Sequence, residues 1–441
     1  MCDFMERSLA NEISEKHAGK SVLISGWVSD IRDLGGLKFL ILKDRSGTIQ
    51  ITMPKKEMTK EIMETAEQIT KESVISVEGK AQSAKQAPRG IEIIPEKLEL
   101  VSKAHAPIPL DLSGKIKSDL SVRLDYRFLD LRNPRSLAIF KIRSKMFKLI
   151  TDYYDSQGFT AIQTPKITSA GVESGAELFP VVYFDKEAFL SQSPQVYKQM
   201  MVCAGFERVY EIAPVFRAEK SHTTRHLTEF TGVDFEMGFI KDENDVMDVI
   251  EGMCRRILEG LKKECSSELE MFGVNPSIPK KIPRIEMREI KKVLAEKYGK
   301  KIPEDEDLDA EGEEMAGKYV KEKYGEEFVF VTLYPWKKRP FYHMRPEGNA
   351  NVTKSFDLIW NGVEIATGAQ REHRYEILKA QAKEKGVDLD AMKSYADIFR
   401  YGAPPHGGVG LGLDRMVEQL LKLDNIREAI LLPRDPERLT P

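Results

Sequence analysis

Arg217 and Arg415 stand where an ordinary soluble core would not place a charge. Arg217 closes the apolar run Val209 to Phe216 in Phe216-Arg217-Ala218-Glu219, and a polar loop with Lys220, Arg225 and His226 follows before a second run, Phe230 to Glu236. Strand alternation buries Phe216 on one face and puts Arg217 on the other, where a sheet displays it to a ligand. A guanidinium fork suits a phosphate, and Arg225 with His226 can hold outer phosphates. Taken alone, the same residues also describe a hairpin with a solvated charged loop. Arg415 ends Gly407-Gly-Val-Gly-Leu-Gly-Leu-Asp-Arg415, a glycine-rich strand running into a helix. Glycines let a flat or charged ligand approach the backbone. A cation in the first turn of a helix opposes the helix dipole, so this placement implies an anionic partner such as a nucleotide. A third segment, Gly158-Phe-Thr-Ala-Ile-Gln-Thr-Pro165, is a helix stop followed by a short strand ending in proline.

Other chemistries lack their residues. No G-x-G-x-x-G follows a strand into a βαβ unit and no G-x-x-x-x-G-K-[ST] is present, so a Rossmann or P-loop site is unsupported. Cys2, Cys203, Cys254 and Cys265 form no C-x-x-C pair and have no histidine at metal-ligand spacing, which reads as reduced structural thiols. Lys plus Arg is 67 against Asp plus Glu 70, and residues 1–105 balance at 16 against 16. Bulk charge therefore gives no support for nucleic-acid binding, which must be argued from local sites. No apolar stretch reaches the ~18 residues a membrane span needs, and the N-terminus lacks the plan of a signal peptide. The expectation is a cytoplasmic protein with no membrane partner.

These residues need a scaffold, and 441 residues at roughly 150 per domain provide about two or three units. With 41% hydrophobic and 31% charged residues the chain has the balance of a folded protein. Ser21 to Val28, Lys38 to Lys43, Thr48 to Met53, Val74 to Glu78 and Ile91 to Ile94 read as five short strands, separated by turns such as Gly35-Gly36, Ser46-Gly47 and Pro88-Arg89-Gly90. They fit a small closed barrel of the OB type or a small sandwich. Prolines at Pro107 and Pro109 mark a connector. Beyond it, Ile139, Ile142, Met146, Leu149 and Tyr153 recur at helical spacing up to Gly158. Strands at 188–190, 208–216, 233–239, 328–333, 355–360 and 362–367 then mix with helices around 245–264, 285–298, 312–324 and 413–422. That pattern predicts an α+β domain with a largely antiparallel sheet flanked by helices. The domain expectation is 1–105 for the barrel, 106–133 for the linker and 134–441 for the α+β unit.

With the three segments in this order, the sequence resembles the class II aminoacyl-tRNA synthetases. Their signature motifs are a Pro-ended dimer-interface helix and strand, an F-R-x-E hairpin, and a G-x-G-x-G-x-[DE]-R strand and helix. A barrel before the catalytic domain resembles the subgroup charging aspartate, asparagine and lysine. Arg123-Leu-Asp-Tyr-Arg-Phe-Leu-Asp-Leu-Arg132, Gln192-Ser-Pro-Gln-Val-Tyr-Lys198 and Gly362-Val-Glu-Ile-Ala-Thr-Gly-Ala-Gln-Arg-Glu-His373 extend the likeness over nearly the whole chain, toward its aspartate-charging members. The spacing from Glu236 to Glu364 leaves no room for the large inserted domain of the bacterial type, and no Lys-rich extension precedes the barrel, so the chain resembles the archaeal type.

The resemblance implies a homodimer that activates L-aspartate with ATP and Mg²⁺ and transfers it to the 3′ end of tRNA(Asp). A side-chain carboxylate needs buried cations, and the resemblance assigns Lys198 and Arg371 that task. It places Glu173 in a mobile loop over the substrate ammonium, Gln195 and Asp234 at the α-carboxylate and ammonium, and Arg217 and Thr367 beside the amino acid. For ATP it implies Arg217 on the α-phosphate, Ala218 and Glu219 near the adenine, and Arg225, His226 and Leu227 by the outer phosphates or adenine. Gly412, Leu413, Asp414 and Arg415 complete that site, with Arg415 at the γ-phosphate. Glu364, with Thr367, would hold magnesium. In-line attack needs no general base, because the carboxylate nucleophile is already ionised at neutral pH.

In the barrel, Arg32, Phe39 and Gln50 lie where this subgroup contacts the anticodon; an aromatic on an OB strand offers a stacking face for an unpaired base. Alternation alone also allows Phe39 to be a core residue. Members restricted to their own tRNA often carry Trp at the position of Ser29 and Lys at that of Pro88. Pro88 resembles the non-discriminating members, which also load tRNA(Asn), whereas Ser29 matches neither pattern. Two other readings, a relative that makes free asparagine and a catalytically silent tRNA-binding protein, are opposed by the barrel and by the intact Arg217, Glu364 and Arg415 respectively.

Overall fold

The computed structural model describes residues 6–112, 116, 118–169, 178–220, 223–390 and 392–441. Two compact units emerge, Met1–Tyr126 and Arg127–Pro441.

In the first, β1 (Ser21–Asp33), β2 (Leu37–Lys43), β3 (Thr48–Pro54), β4 (Val74–Ser83) and β5 (Ile91–Ser102) close a barrel in the order β1-β2-β3-β5-β4. The five strands stand where alternation puts them, and closure excludes the sandwich. Every second residue faces inward: Leu40 and Leu42 on β2, Ile49, Ile51 and Met53 on β3, Ile75 and Val77 on β4, and Ile91 and Ile93 on β5 form one buried cluster. The strand patterning does not announce α1 (Lys60–Gln68), which caps its first turn with Thr59 and buries Ile62 and Ala66. The stretch expected as a connector is helical at its end, with α2 (Leu120–Asp125) and α3 (Arg127–Asp130) on either side of the division between the units.

The second unit opens its core with α4 (Pro134–Ser156), whose Asn133 cap accepts from Arg135 N–H at 2.9 Å and whose proline occupies the first turn. Ile139, Ile142, Met146 and Leu149 line its buried face, and Gly158 at φ +75° lies beyond its end. After β6 (Thr160–Ala161) a small sheet forms from β7 (Ile167–Thr168), β8 (Pro180–Tyr183) and β9 (Lys186–Leu190) in the order β7-β9-β8. Then come α5 (Gln195–Met201), β10 (Arg208–Phe216), β11 (Glu229–Gly238), α6 (Glu243–Glu264), α7 (Ser266–Met271), β12 (Arg284–Glu286), α8 (Met287–Tyr298), α9 (Ala310–Tyr324) and β13 (Phe328–Thr332). The chain finishes with β14 (Ser355–Trp360), β15 (Val363–Gln370), α10 (Tyr375–Glu384), α11 (Lys393–Arg400), β16 (His406–Gly412) and α12 (Leu413–Leu421).

The main sheet has eight strands in the order β12-β13-β14-β15-β16-β11-β10-β6. Its two end pairs, β12 with β13 and β6 with β10, are parallel and the five between are antiparallel. A hydrophobic cluster joins α4 and α6 to this sheet through Met146, Leu149, Met253, Ile257, Phe235 and Val409. Gly260 on α6 meets the Leu149 side chain, so the helices approach closely there. The order of strands brings β10, β11, β15 and β16 side by side, which collects residues as far apart in sequence as Arg217 and Arg415 on one surface. No helix among the described residues is long and apolar enough to cross a membrane.

Candidate active site and nucleic-acid face

A cavity of about 310 Å³ opens over the centre of this sheet, with Gln195, Arg217, Asp234, Glu364, Thr367, Arg371, Gly412 and Arg415 among its walls. The antiparallel registers explain the meeting. Asp234 pairs with Gly410, Thr367 pairs with Gly410 from the other side, and Gly412 pairs with Gly232. Val215 and Arg217 share the face of β10 that meets the cavity. Phe216, expected to be buried, is only half-buried; the buried apolar residue at this strand end is Val215, on the same face as Arg217. The guanidinium of Arg217 lies 5.4 Å from the centre of the Phe230 ring, and its Nε is buried without a hydrogen-bond partner. An aromatic face thus holds a donor fork whose inner N–H has no acceptor.

The two expected cations are buried and already compensated. Lys198 Nζ donates to Asp234 Oδ1 at 2.8 Å and to Val409 O at 2.9 Å, with Glu236 at 3.6 Å. Arg371 donates from Nε and Nη2 to the two oxygens of Glu236 at 2.9 and 3.2 Å, and from Nη1 to His343 Nε2 at 3.0 Å. Burial alone would raise Glu236, but Arg371 and Lys198 outweigh it and hold the carboxyl below its usual range. A methyl on Gly408 would collide with the Glu236 carboxylate and the Phe235 carbonyl, so this glycine makes room for the site's buried acid as well as for backbone approach. Glu236 is absent from the sequence-derived set, although its strand position was in view. Its role depends on cations 38 and 135 residues away.

Arg371, a residue of the cavity wall, carries five N–H donors, of which the three bonds above use three, so two are left over among the described residues. Gln195, at the start of α5, is tied by its Nε2 to Gln199 Oε1 at 3.0 Å, and Gln199 is fixed in turn by Tyr395 and His406.

On the other side of the cavity Thr367 Oγ1 donates to Glu364 Oε1 at 2.9 Å, and Arg415 Nη1 donates to Glu364 O at 2.8 Å. Asp357, which faces Thr367 across β14 and β15, receives Arg339 on one oxygen at 2.6 Å while the other is buried with no hydrogen-bond partner. Burial pushes the Asp357 carboxyl up, and the nearby negative charge of Glu364 adds to it against the pull of Arg339. A buried carboxylate oxygen lacking a donor, next to a second carboxylate, fits a hard divalent cation. No cluster of three or more His, Cys, Asp or Glu that could hold a metal occurs among the described residues, so such an ion would be completed by phosphate oxygens and water, as is usual for Mg²⁺. Sequence reasoning passed over Asp357, Arg339 and His343. The run Lys337-Lys-Arg-Pro-Phe-Tyr-His343 directly after a strand was the available signal.

Several expected residues stand elsewhere. Glu173 lies outside the described residues. Asp414, expected at the nucleotide, is 1% exposed and bound to Arg143 at 2.8 Å and to Thr231 N–H at 2.7 Å, so it anchors α12 to α4 and β11. Leu413 and Leu227 are buried apolar side chains, Leu413 within the main core. None of these three is among the residues forming the cavity wall; for Leu413 and Asp414 the reason is that a helix that presents Arg415 outward must turn its neighbours inward. Ala218, Glu219, Arg225 and His226 are half-buried on the β10–β11 hairpin beyond the cavity wall, with His226 3.9 Å from Glu219. Arg225 and Arg415 both act on Glu418, whose carboxyl burial nonetheless pushes up to about 7.

On the barrel, Phe39 is directly opposite Arg32 on β1 and Thr52 on β3, and Ile41 opposite Gln50. Paired residues share a face, and the inward set on β2 is Lys38, Leu40 and Leu42, so Phe39 belongs to the outer face. Gln50 is bonded to Thr52 and Glu92 at 3.2 and 3.0 Å, and Arg32 to Asp30 at 3.1 Å. The result is one aromatic flanked by polar edges, suited to a single-stranded base. Ser29 marks a bulge in β1 and donates to Ile41 O at 3.1 Å. Pro88 is exposed and heads the turn Pro88–Gly90, in which Arg89, at φ +63°, donates to Ala10 O and Thr48 O.

With this geometry in place, comparison with known proteins is informative. A family model described as tRNA synthetases class II (D, K and N) matches residues 119–436, and one described as an OB-fold nucleic acid binding domain matches residues 22–101. The chain is 51% identical to the aspartate–tRNA(Asp/Asn) ligase of Aeropyrum pernix, over 99% of each chain. It is 46% identical to the aspartate–tRNA(Asp) ligase of Pyrococcus horikoshii, over 98% of this chain and 99% of that one. The crystal structure of asparaginyl-tRNA synthetase from Pyrococcus horikoshii with asparaginyl-adenylate superposes at a TM-score of 0.93 with 32% identity, covering 99% of this chain and 100% of that one.

Proposed function

Since the chain belongs to the class II tRNA synthetases of the D, K and N group, we propose that it is an aspartate–tRNA ligase that charges tRNA(Asp) and also tRNA(Asn). The observation that carries the amino-acid choice is the buried Lys198–Asp234–Glu236–Arg371 set, in which Arg371 keeps two N–H donors for a further acceptor. A side chain ending in two acceptor oxygens satisfies such donors.

L-Aspartate enters with its side-chain carboxylate at Arg371 and Lys198, its ammonium toward Asp234 and its α-carboxylate toward Gln195. Glu173 belongs to the same binding set. ATP lies with its α-phosphate at Arg217 and its γ-phosphate at Arg415, while Ala218, Glu219, Arg225 and His226 surround the remainder. The ionised α-carboxylate attacks the α-phosphorus in line; the new P–O bond forms as the bond to pyrophosphate breaks, and aspartyl-adenylate results. Arg217 and Arg415 stabilise charge on the phosphate oxygens without rearranging. Mg²⁺, held by Glu364 with Thr367 and Asp357, would supply further charge neutralisation at the phosphates. In the second step the terminal ribose hydroxyl of the tRNA attacks the aspartyl carbonyl, its proton passes to the departing phosphate, and AMP leaves with that phosphate still at Arg217.

The barrel reads the anticodon through Phe39, Arg32 and Gln50. Charging of both tRNAs is supported by Pro88 in the exposed turn and by the likeness to the aspartate–tRNA(Asp/Asn) ligase of Aeropyrum pernix. The reading extends to a homodimer formed through α4 and β6. The test is aminoacylation of transcripts of tRNA(Asp) and tRNA(Asn) with labelled aspartate and, separately, labelled asparagine. Aspartate on both transcripts at comparable efficiency is expected; aspartate on the first alone overturns the dual specificity, and asparagine on either overturns the amino-acid choice. Phe39→Ala should weaken tRNA binding by about 1–3 kcal/mol, the usual worth of one stacked base, while aspartate-dependent ATP–pyrophosphate exchange without tRNA stays unchanged. A nitrocellulose filter-binding titration that finds wild-type affinity would remove Phe39 from the anticodon site.

A further inference from the structure

His343 has a ring nitrogen that the established bonds of the site leave over. The nitrogens of Arg371 are donors only, so the 3.0 Å contact between Arg371 Nη1 and His343 Nε2 requires the imidazole to accept there. Burial lowers the affinity of this ring for a second proton, and the positive charges of Arg371, Arg339 and Lys198 lower it further, so the ring is neutral. A neutral imidazole that accepts at Nε2 carries its hydrogen on Nδ1. That Nδ1 is buried and has no hydrogen-bond partner among the described residues, while the residue is 3% exposed and forms part of the cavity wall. A buried N–H left unpaired in a binding cavity calls for an explanation, and an acceptor brought by a ligand provides one.

The surroundings hold this ring in place. Residue 343 forms a backbone bridge with Arg371, its carbonyl receives Gln381 Nε2 at 3.1 Å, and the ring packs edge-on against Tyr342 at 5.2 Å between centroids. The backbone carrying the imidazole is thus tied to the backbone of the same residue whose guanidinium its Nε2 contacts. The two further N–H groups of Arg371 and the Nδ1–H of His343 make three donors on two adjoining side chains of the cavity wall.

We propose that His343 determines substrate specificity by donating its Nδ1–H to the side-chain carboxylate of bound aspartate, beside the guanidinium of Arg371. A carboxylate presents acceptors on both terminal oxygens and satisfies all three donors. An amide presents one oxygen and one NH₂, so with the same three donors its nitrogen must face at least one N–H, and asparagine is disfavoured. The assignment rests on the reading that this cavity takes aspartate.

Two substitutions separate the nitrogens. His343→Gln can place its amide oxygen near the former Nε2 and keep the contact with Arg371, but it has no donor at the δ position. His343→Asn can place an NH₂ near the former Nδ1 and loses the contact with Arg371. In ATP–pyrophosphate exchange, His343→Gln should raise the KM for aspartate about tenfold or more, leave the KM for ATP within about twofold, and narrow the preference for aspartate over asparagine; about tenfold corresponds to one hydrogen bond of ~1.4 kcal/mol. His343→Asn should keep the aspartate KM within about threefold of wild type. A wild-type aspartate KM in His343→Gln overturns the assignment. So does an equal rise in both variants accompanied by a rise in the KM for ATP, which is the mark of a merely structural residue.

Should His343→Gln fail to fold, the wild-type protein labelled with ¹⁵N-histidine answers the same question. Addition of L-aspartate should shift one imidazole Nδ1–H resonance downfield, and that resonance should be missing from His343→Asn; no shift on saturation overturns the assignment. Failure of the underlying reading looks different, because wild-type protein would then show no aspartate-dependent exchange at all.

Discussion

Arg217→Lys should slow aspartate-dependent ATP–pyrophosphate exchange by about 10²–10³-fold, the usual cost of removing one fixed donor from a site of developing phosphate charge. Lysine keeps the charge but not the geometry. The guanidinium lies 5.4 Å from the centre of the Phe230 ring, and its Nε–H is buried with no partner. An ammonium can neither stack as a plane nor present two parallel N–H groups. Because the contact is realised as charge develops on the phosphate, the loss should fall on kcat, with the KM for aspartate changing by less than about threefold. Folding should be untouched, since among the described residues no hydrogen bond or ion pair ties the Arg217 side chain to the core. Steady-state exchange assays on purified variant and wild type decide the matter. A fall smaller than about tenfold would mean that the α-phosphate is held elsewhere.

The second large effect is on the fold. Glu236 is 0% exposed and is the counter-charge shared by Arg371 and Lys198. Glu236→Ala leaves Arg371 with no carboxylate and Lys198 with only Asp234, and an uncompensated buried charge costs about 3–5 kcal/mol. Urea unfolding followed by Trp336 and Trp360 in a Trp27→Phe background isolates the second unit, because these are the three tryptophans of the chain. Adding Lys198→Met to Glu236→Ala should restore at least about 1 kcal/mol, as removal of a cation relieves the imbalance. A cost below about 1 kcal/mol for Glu236→Ala would show that the cations do not depend on it.

The pH dependence of this contribution follows from its sign. The Glu236 carboxyl is held below its usual range in the folded protein, with Arg371 and Lys198 overcoming burial. Its stabilisation is therefore complete above the ordinary glutamate value of about 4.3 and is lost as pH falls toward the lowered one. Wild-type unfolding should accordingly weaken on acidification below about pH 5, and Glu236→Gln should weaken less over the same interval.

Local periodicity was enough for most elements. The 3.6-residue spacing of Ile139, Ile142, Met146 and Leu149 announced α4, and the largely apolar runs announced β10 and β14 at their observed bounds. The barrel strands followed from alternation, although α1 escaped because its buried residues, Ile62 and Ala66, make a weak stripe in a short, largely polar segment. Phe39 could not be assigned to the core or the outer face from its own strand, where alternation permits either. The pairing with Arg32 and Thr52 placed it outside.

The motifs around Arg217, Glu364 and Arg415 were legible because each couples a charge to a local device, a strand end, a β-strand or a helix start, within a few residues. Those short-range couplings singled out the two arginines and carried the likeness to a family. Long-range partners have no such signature. Glu236 looked like one more strand residue until β15 and α5 brought Arg371 and Lys198 against it, and Asp414, a motif residue, proved to be an internal anchor for Arg143 and Thr231. His343 acquired a defined tautomer from one contact with Arg371, 28 residues away. A residue type and its neighbours along the chain carry the chemistry a side chain is able to do. Which charge neutralises which, and which donor is left facing the cavity, depends on electrostatics and desolvation across strands that meet only when the sheet closes.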